Sequence, residues 1–254
     1  MLNNRIAIIT GASSGIGRAI SELFLSKGFS VVGNARDKQR LSDLEQCSKS
    51  MPGTFIPIVG DITEEGVVEK LLGACYDNFA SPPSIGIVNA GRGLPGNFID
   101  SDSDKWKQMI DLNVLGTFYQ LRMLASAMTT NQQNNHDKNP RDIVVLGSTI
   151  GTNVSPSNPV YGATKFAVHG ATESLRRDLG PLGVRVTLIQ PGFVRTNFQE
   201  ASGYDLEAFA QMTQKIGDLV EANDVARTVE FVIDQPAHVH LHDIMLRSTR
   251  QSYP

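Results

Sequence analysis

The segment Thr10-Gly11-Ala12-Ser13-Ser14-Gly15-Ile16-Gly17 constrains this chain more than any other. It follows the apolar run Ile6 to Ile9 and precedes a stretch whose apolar residues Ile20, Leu23 and Phe24 recur at helical spacing, so it reads as a turn between a strand and a helix. Gly11, Gly15 and Gly17 let the backbone approach a pyrophosphate and let the helix pack close to a sheet. Free N–H groups and the positive end of the helix dipole would attract the phosphates, with Ser13, Ser14 and Ile16 in the same expected contact. A glycine-rich turn without a ligand is the alternative. The spacing, Gly-x-x-x-Gly-x-Gly, departs from the generic Gly-x-Gly-x-x-Gly dinucleotide fingerprint.

Further apolar runs bounded by turn residues span Ser30 to Gly33, Phe55 to Val59, Ile85 to Val88, Ile143 to Leu146, Val184 to Ile189 and Leu241 to Leu246. With the first run they predict seven strands, and helical periodicity fills the stretches between them. Strands apolar on both faces that alternate with helices predict an α/β fold: one doubly wound Rossmann-type domain over 1–254, a seven-stranded parallel sheet flanked by helices. No linker divides the 254 residues, and the Asn- and Gln-rich stretch Thr129 to Asn139 reads as a loop. The net charge of −3 is scattered, which argues against a nucleic-acid or membrane partner. Cys47 and Cys75 show neither metal nor disulfide spacing, and Met1 to Arg5 is too short a lead for a signal peptide, so a cytoplasmic protein is expected.

Where a dinucleotide fold places an acid for the adenosine ribose, this chain has Gly33-Asn34-Ala35-Arg36-Asp37. If the strand ends near Asn34, Arg36 can clamp a 2′-phosphate, which favours NADP(H) over NAD(H). A slipped register would make Asp37 the ribose partner instead. Asp61, followed by Ile62, is a candidate for the adenine amino group or, alternatively, a turn residue before Thr63.

Tyr161 and Lys165 lie one turn apart in a helical stretch, and Ser148 follows a strand. A neighbouring ammonium favours the phenolate, so Tyr161 could exchange a proton with a substrate hydroxyl while Ser148 holds the substrate oxygen. Taken singly, each is equally an ordinary helix pair or loop serine.

Together with the glycine turn, these residues closely resemble the short-chain dehydrogenase/reductase family over nearly the whole chain, including Asn89-Ala90-Gly91, Asn113 and Pro191-Gly192. The resemblance implies hydride transfer with Tyr161 as general acid/base and Ser148 polarising the carbonyl. It implies that Lys165 binds the nicotinamide ribose and lowers the Tyr161 pKa, and that Asn113 holds a water in a proton relay. Asn89, Ala90 and Gly91 would wall the adenosine side, and Pro191, Gly192, Val194 and Thr196 would clamp the nicotinamide carboxamide, Tyr161 and Lys165 also touching the cofactor. A homotetramer or homodimer is implied as well. Many NADP-preferring relatives carry a basic residue where Ser14 stands, so the cofactor preference rests on Arg36 with help from Arg18.

The segment 198–217, with Phe198, Tyr204, Leu206, Phe209, Met212 and Ile216, is expected to form a substrate lid of one or two short helices, the alternative being ordinary core residues of a satellite helix, and Arg92 and Arg195 are candidates for a substrate anion or plain surface residues. His238, His240 and His242 alternate on the seventh predicted strand, where an interface or solvent edge is expected rather than a metal site. The expected function is an NADP(H)-dependent oxidoreductase acting on an alcohol or ketone carbon of a small substrate, 3-hydroxy acids among the candidates. The alternatives are a 3-oxoacyl thioester (acyl-carrier-protein) reductase and, in another class, a non-catalytic NADP(H)-binding sensor.

Overall fold

The structure is a computed structural model that describes residues 5–130 and 140–254. Of the Asn- and Gln-rich loop, residues 131–139 lie outside the described residues. Seven parallel strands form one sheet: β1 (Ile6–Thr10), β2 (Ser30–Ala35), β3 (Thr54–Val59), β4 (Ile85–Val88), β5 (Arg141–Leu146), β6 (Val184–Pro191) and β9 (Asp243–Leu246). Their order is β3-β2-β1-β4-β5-β6-β9, and the short strands β7 (Val194–Arg195) and β8 (Val220–Glu221) pair separately.

The strands are buried on both faces because helices cover each side. On one face α1 (Gly15–Ser26), α2 (Lys38–Ser48) and α9 (Ala222–Ile233) share a core with Ile9, Val31, Ile87 and Val144. On the other, α3 (Val67–Phe79), α5 (Thr117–Thr129) and α6 (Pro159–Leu179) pack on Ile8, Val32, Val88 and Val186. Alternate residues of one strand thus enter different cores, which is why the sequence shows continuous apolar runs instead of alternation. A short α4 (Trp106–Ile110) leads into α5, and α7 (Phe198–Ala201) and α8 (Leu206–Thr213) stand between β7 and β8.

Several strand ends differ from the predicted runs by one or two residues, and two of them bear on the site and the histidines. β2 runs one residue past Asn34, to Ala35. The last strand begins at Asp243 instead of Leu241, so the three histidines precede it and do not alternate along it. His240 Nε2 lies 2.9 Å from the Val186 carbonyl oxygen, occupying a β6 backbone group that β9 is too short to reach. No described helix is long and apolar enough to cross a membrane.

The strand order reverses between β1 and β4, opening a crevice at their carboxyl ends.

Candidate active site

The glycine turn leaves β1 beside that crevice. Gly11 and Gly15 have φ of +67° and +52°, in the left-handed region where a side chain is strained. A Cβ on Gly17 would come within 2.2 Å of the Gly11 carbonyl oxygen, so its absence lets α1 sit on the turn. α1 also begins without a side-chain cap and without an acid in its first turn, leaving its N–H groups and dipole for an external anion. α2 differs: the Asp37 carboxylate accepts from the Arg40 N–H at 3.0 Å. Within the turn Ser13 is buried, Ser14 exposed and Ile16 packed against the core.

Asn89 reaches across the crevice, its Nδ2 donating to the Thr10 carbonyl at 2.9 Å. The Thr10 hydroxyl accepts from the N–H groups of Asn89 and Ala90 at 3.1 and 3.2 Å and donates to Gln120 Oε1 at 2.9 Å. The residues 89–91 are therefore fastened to the phosphate turn. Gln120, 1 % exposed, escaped the sequence reading; its one signal is an amide at an inward position of an apolar helix.

At the adenosine end Asn34 points inward, donating to the carbonyls of Ile58 and Gly60 at 3.1 and 3.0 Å. Arg36 then emerges with an exposed side chain, its Nη1 3.7 Å from Asp61 Oδ2. The other Asp61 oxygen accepts from the Thr63 N–H and hydroxyl at 3.0 and 2.8 Å, the turn role considered above. Burial pushes the Asp61 carboxyl up, but the Thr63 bonds and the Arg36 charge outweigh it and hold the group below its ordinary value. Ile62 is turned into the core. With Asp37 spent on its helix, Arg36 is the residue that faces Asp61; Arg18 is bonded to Glu22 at 2.8 Å along α1.

α6 carries Tyr161 and Lys165 past the end of β5. Ser148, in extended conformation, accepts at Oγ from the Ile150 N–H at 3.3 Å and lies near enough to the Tyr161 hydroxyl to lower its pKa. Lys165 Nζ donates to the Leu146 carbonyl at 2.8 Å and sits 5.9 Å from the centre of the Tyr161 ring. Burial pushes Tyr161 up to about 12 against the lowering pull of Ser148, and burial brings Lys165 down to about 8. Burial governs the tyrosine in the protein alone, where Tyr161 stands as a neutral phenol.

Asn113 lies in a π-helical turn, Asp111–Gly116, between α4 and α5. Its buried Oδ1 accepts from the Arg92 N–H at 3.0 Å, and its Nδ2 donates to the Arg92 carbonyl at 2.9 Å and to Thr164 Oγ1 at 3.1 Å. Both amide hydrogens are spent on bracing the loop after β4 against α6.

Beyond Pro191 the chain turns back toward the glycine turn: a Cβ on Gly15 would touch Thr196 at 3.5 Å, and Thr196 Oγ1 accepts from the Phe198 N–H at 3.2 Å. Gly192 and Phe193 lean on Gln251, whose Oε1 accepts from the Phe193 N–H at 3.1 Å, and Val194 is held in the β7–β8 pair. Nothing in the sequence pattern had marked Gln251. Three aromatic residues of the 198–217 segment turn toward these elements. Phe198 lies 6.0 Å from Tyr161 ring to ring, the Tyr204 hydroxyl 2.9 Å from the Asn158 amide, and Phe209 packs edge-on to Phe193. Leu206 and Met212, expected in the lid's apolar face, are exposed. Arg195 is paired with Glu221 at 2.8 Å, and Arg92 lies 3.4 Å from Gln108.

The family model for short chain dehydrogenase matches residues 5–207, four-fifths of the chain. The chain belongs to the short-chain dehydrogenase/reductase family. This dehydrogenase/reductase is 32% identical over 246 residues to an uncharacterized oxidoreductase of Staphylococcus epidermidis, covering 97% of the one chain and 98% of the other. Among solved structures it resembles the closed form of a serine dehydrogenase complexed with NADP+ (28% identity, TM-score 0.86, 98% and 96% covered). It also resembles a short-chain dehydrogenase/reductase of Burkholderia phymatum in complex with NAD (26%, TM-score 0.83, 96% and 89% covered). The dehydrogenase/reductase is accordingly an oxidoreductase with the seven-stranded parallel sheet of that family.

Proposed function

We propose that the protein interconverts an alcohol and a ketone on a small substrate with NADP(H) as the hydride partner. The observation that carries this reading is the convergence of Ser148, Tyr161 and Lys165 at the mouth of a crevice whose other end is an uncapped helix terminus. The nicotinamide supplies or accepts the hydride. Gly11, Gly15 and Gly17 make the close approach that a pyrophosphate needs, and the free N–H groups of α1 favour its charge.

Ser148 Oγ holds the substrate oxygen, and Tyr161 Oη gives that oxygen a proton in reduction or takes one in oxidation. As a neutral phenol, Tyr161 is set to donate; the Lys165 ammonium one turn away favours the phenolate left behind. With the Asn113 amide committed to Arg92 and Thr164, a relay through Asn113 falls to its backbone. Phe198 and Tyr204 keep water away from the transfer.

NADP(H) is favoured because Arg36 is exposed and tethered only by a 3.7 Å contact, free to turn onto a 2′-phosphate. Catalysis is favoured over cofactor sensing because a binder has no chemical use for Ser148, Tyr161 and Lys165 together. The 3-hydroxy acid version needs a cation for its carboxylate, and Arg195 and Arg92 are engaged elsewhere, so the reading stays with small carbonyl compounds as a class. The test is NADPH and NADH oxidation against ketones, 3-oxo acids and acyl thioesters, with Tyr161→Phe as control. Turnover that the control lacks supports the reading; tight cofactor binding with no turnover on any of the three classes favours the sensor.

A further inference from the structure

His169 stands on α6 two turns beyond Tyr161 and one beyond Lys165, so the three side chains form one stripe along the helix. Each faces the end of β5 or the residues that follow it: Tyr161 lies near the Ser148 hydroxyl, which lowers its pKa, Lys165 donates to the Leu146 carbonyl, and His169 accepts from the Ser148 backbone. In the last contact the Ser148 N–H donates to His169 Nε2 at 3.2 Å. Only a neutral imidazole with its hydrogen on Nδ1 can accept there, and Nδ1 is buried without a partner. The ring is therefore held by packing and by that single bond. Its seat explains two glycines: a Cβ on Gly147 would come within 2.4 Å of His169 Nε2, and one on Gly151 within 2.2 Å of Cε1. The glycines bracket Ser148, so room for the imidazole is built into the serine loop.

We propose that His169 is a positioning residue for the reaction, fixing the backbone of Ser148 so that its hydroxyl is aimed at Tyr161. The proposal rests on the catalytic role given to Ser148 above. A serine at the end of a strand has free rotation of its loop unless its own N–H is tied down; here that tie comes from the helix that carries the proton donor, so the two reacting groups share one rigid support. Burial and the Lys165 charge on the same helix bring His169 down to about 4, while Asp243 from β9 pulls the other way. His242, Glu173 and Arg176 line the same cavity of about 410 Å³. The acceptor form thus persists through the neutral range.

The experiment has two arms. Nitrogen NMR of the full chain reads the His169 tautomer without any substrate: hydrogen on Nδ1 is expected, and hydrogen on Nε2 overturns the proposal. In the kinetic arm, His169→Leu should lower kcat roughly tenfold or more, as misplacement of a reacting group does, with NADPH affinity within about threefold and with His169→Gln, whose amide oxygen can accept, recovering most of it. The same His169→Leu change in a Ser148→Ala background should have no further effect on kcat. A separate additional loss there marks a merely structural role and overturns the proposal. If Ser148→Ala lowers turnover and His169→Leu does not, the positioning role falls while the function stands; if Ser148→Ala changes nothing, both fall.

Discussion

The two ends of the sheet use buried polar groups in opposite ways. At the amino end Asp142 on β5, 1 % exposed, is bonded to Arg185 at 2.7 and 3.1 Å and also to Arg5. Arg185 goes on to the carbonyls of Ile233, Gln235 and Val239, and Arg5 to those of Ile233 and Pro140, so the cluster knots β1, β5 and β6 to the end of α9. The Asp142 oxygens and the Arg185 nitrogens are all satisfied there. At the carboxyl end the side chains are anchored by single bonds to backbone: Lys165 donates to the Leu146 carbonyl, and His169 accepts from the Ser148 N–H. Each keeps capacity for a ligand. The same strand therefore begins in a closed charge cluster and ends in an open one, and closure marks stability where openness marks chemistry.

Four substitutions or conditions would sharpen or break that contrast. Tyr161→Phe removes the proton at the open end, and turnover should fall by about 10²- to 10⁴-fold with the melting temperature and NADPH affinity nearly unchanged. Steady-state kinetics beside cofactor titration checks this; a large loss of stability would mean the open end also carries the fold. Asp142→Asn strands two buried arginines at the closed end and should cost about 3–5 kcal/mol in urea unfolding, with kcat of the folded fraction preserved. Lost turnover at intact stability would reverse the assignment.

Acid comes next. A buried neutral histidine with a lowered pKa takes up its proton only on unfolding, so between its ordinary value of 6.5 and about 4 the unfolded state binds more protons and stability falls as pH drops. His169 should contribute about 2 kcal/mol of loss at pH 5, and His169→Leu should flatten the urea-midpoint profile between pH 7 and pH 5 by that much. An unchanged slope would show the imidazole is not held neutral. The smallest effect is expected at Arg36: Arg36→Ala should weaken NADPH by about tenfold relative to NADH, read by fluorescence titration, and equal weakening of both would remove Arg36 from the phosphate.

The sequence made the sheet legible because burial on both faces leaves uninterrupted apolar runs, and the glycine turn because only glycine serves its φ values. Ser148, Tyr161 and Lys165 were legible as a set; alone, none differs from a loop serine or a helix pair. What stayed hidden depends on contacts distant in sequence. The Arg5–Asp142–Arg185 cluster joins β5 and β6 to the residue just before β1, and its members look like ordinary strand-end charges until the sheet is assembled. Gln120, Gln251 and His169 are polar residues whose partners lie 110, 58 and 21 positions away, with no period to announce them. The last strand begins two residues later than the apolar-polar alternation of Leu241 and His242 predicts, although their carbonyls still accept from β6, from the Thr187 hydroxyl at 2.7 Å and the Leu188 N–H at 2.8 Å.

The π turn at Asp111–Gly116 has one further consequence, in terms of chain length. A π turn holds one residue more than the α-helical path around it, so removing a single residue there would let α4 and α5 fuse into one regular helix. The fused helix would be turned by about 100° at the join, the angle one residue subtends at 3.6 per turn. Either Met109 and Trp106 would leave Leu94, or Leu121 and Leu124 would leave the sheet. An insertion or deletion at this point is therefore not a local event. It forces a choice between the wall beside Tyr161 and the core beneath the sheet, and the extra residue is what allows the chain to keep both.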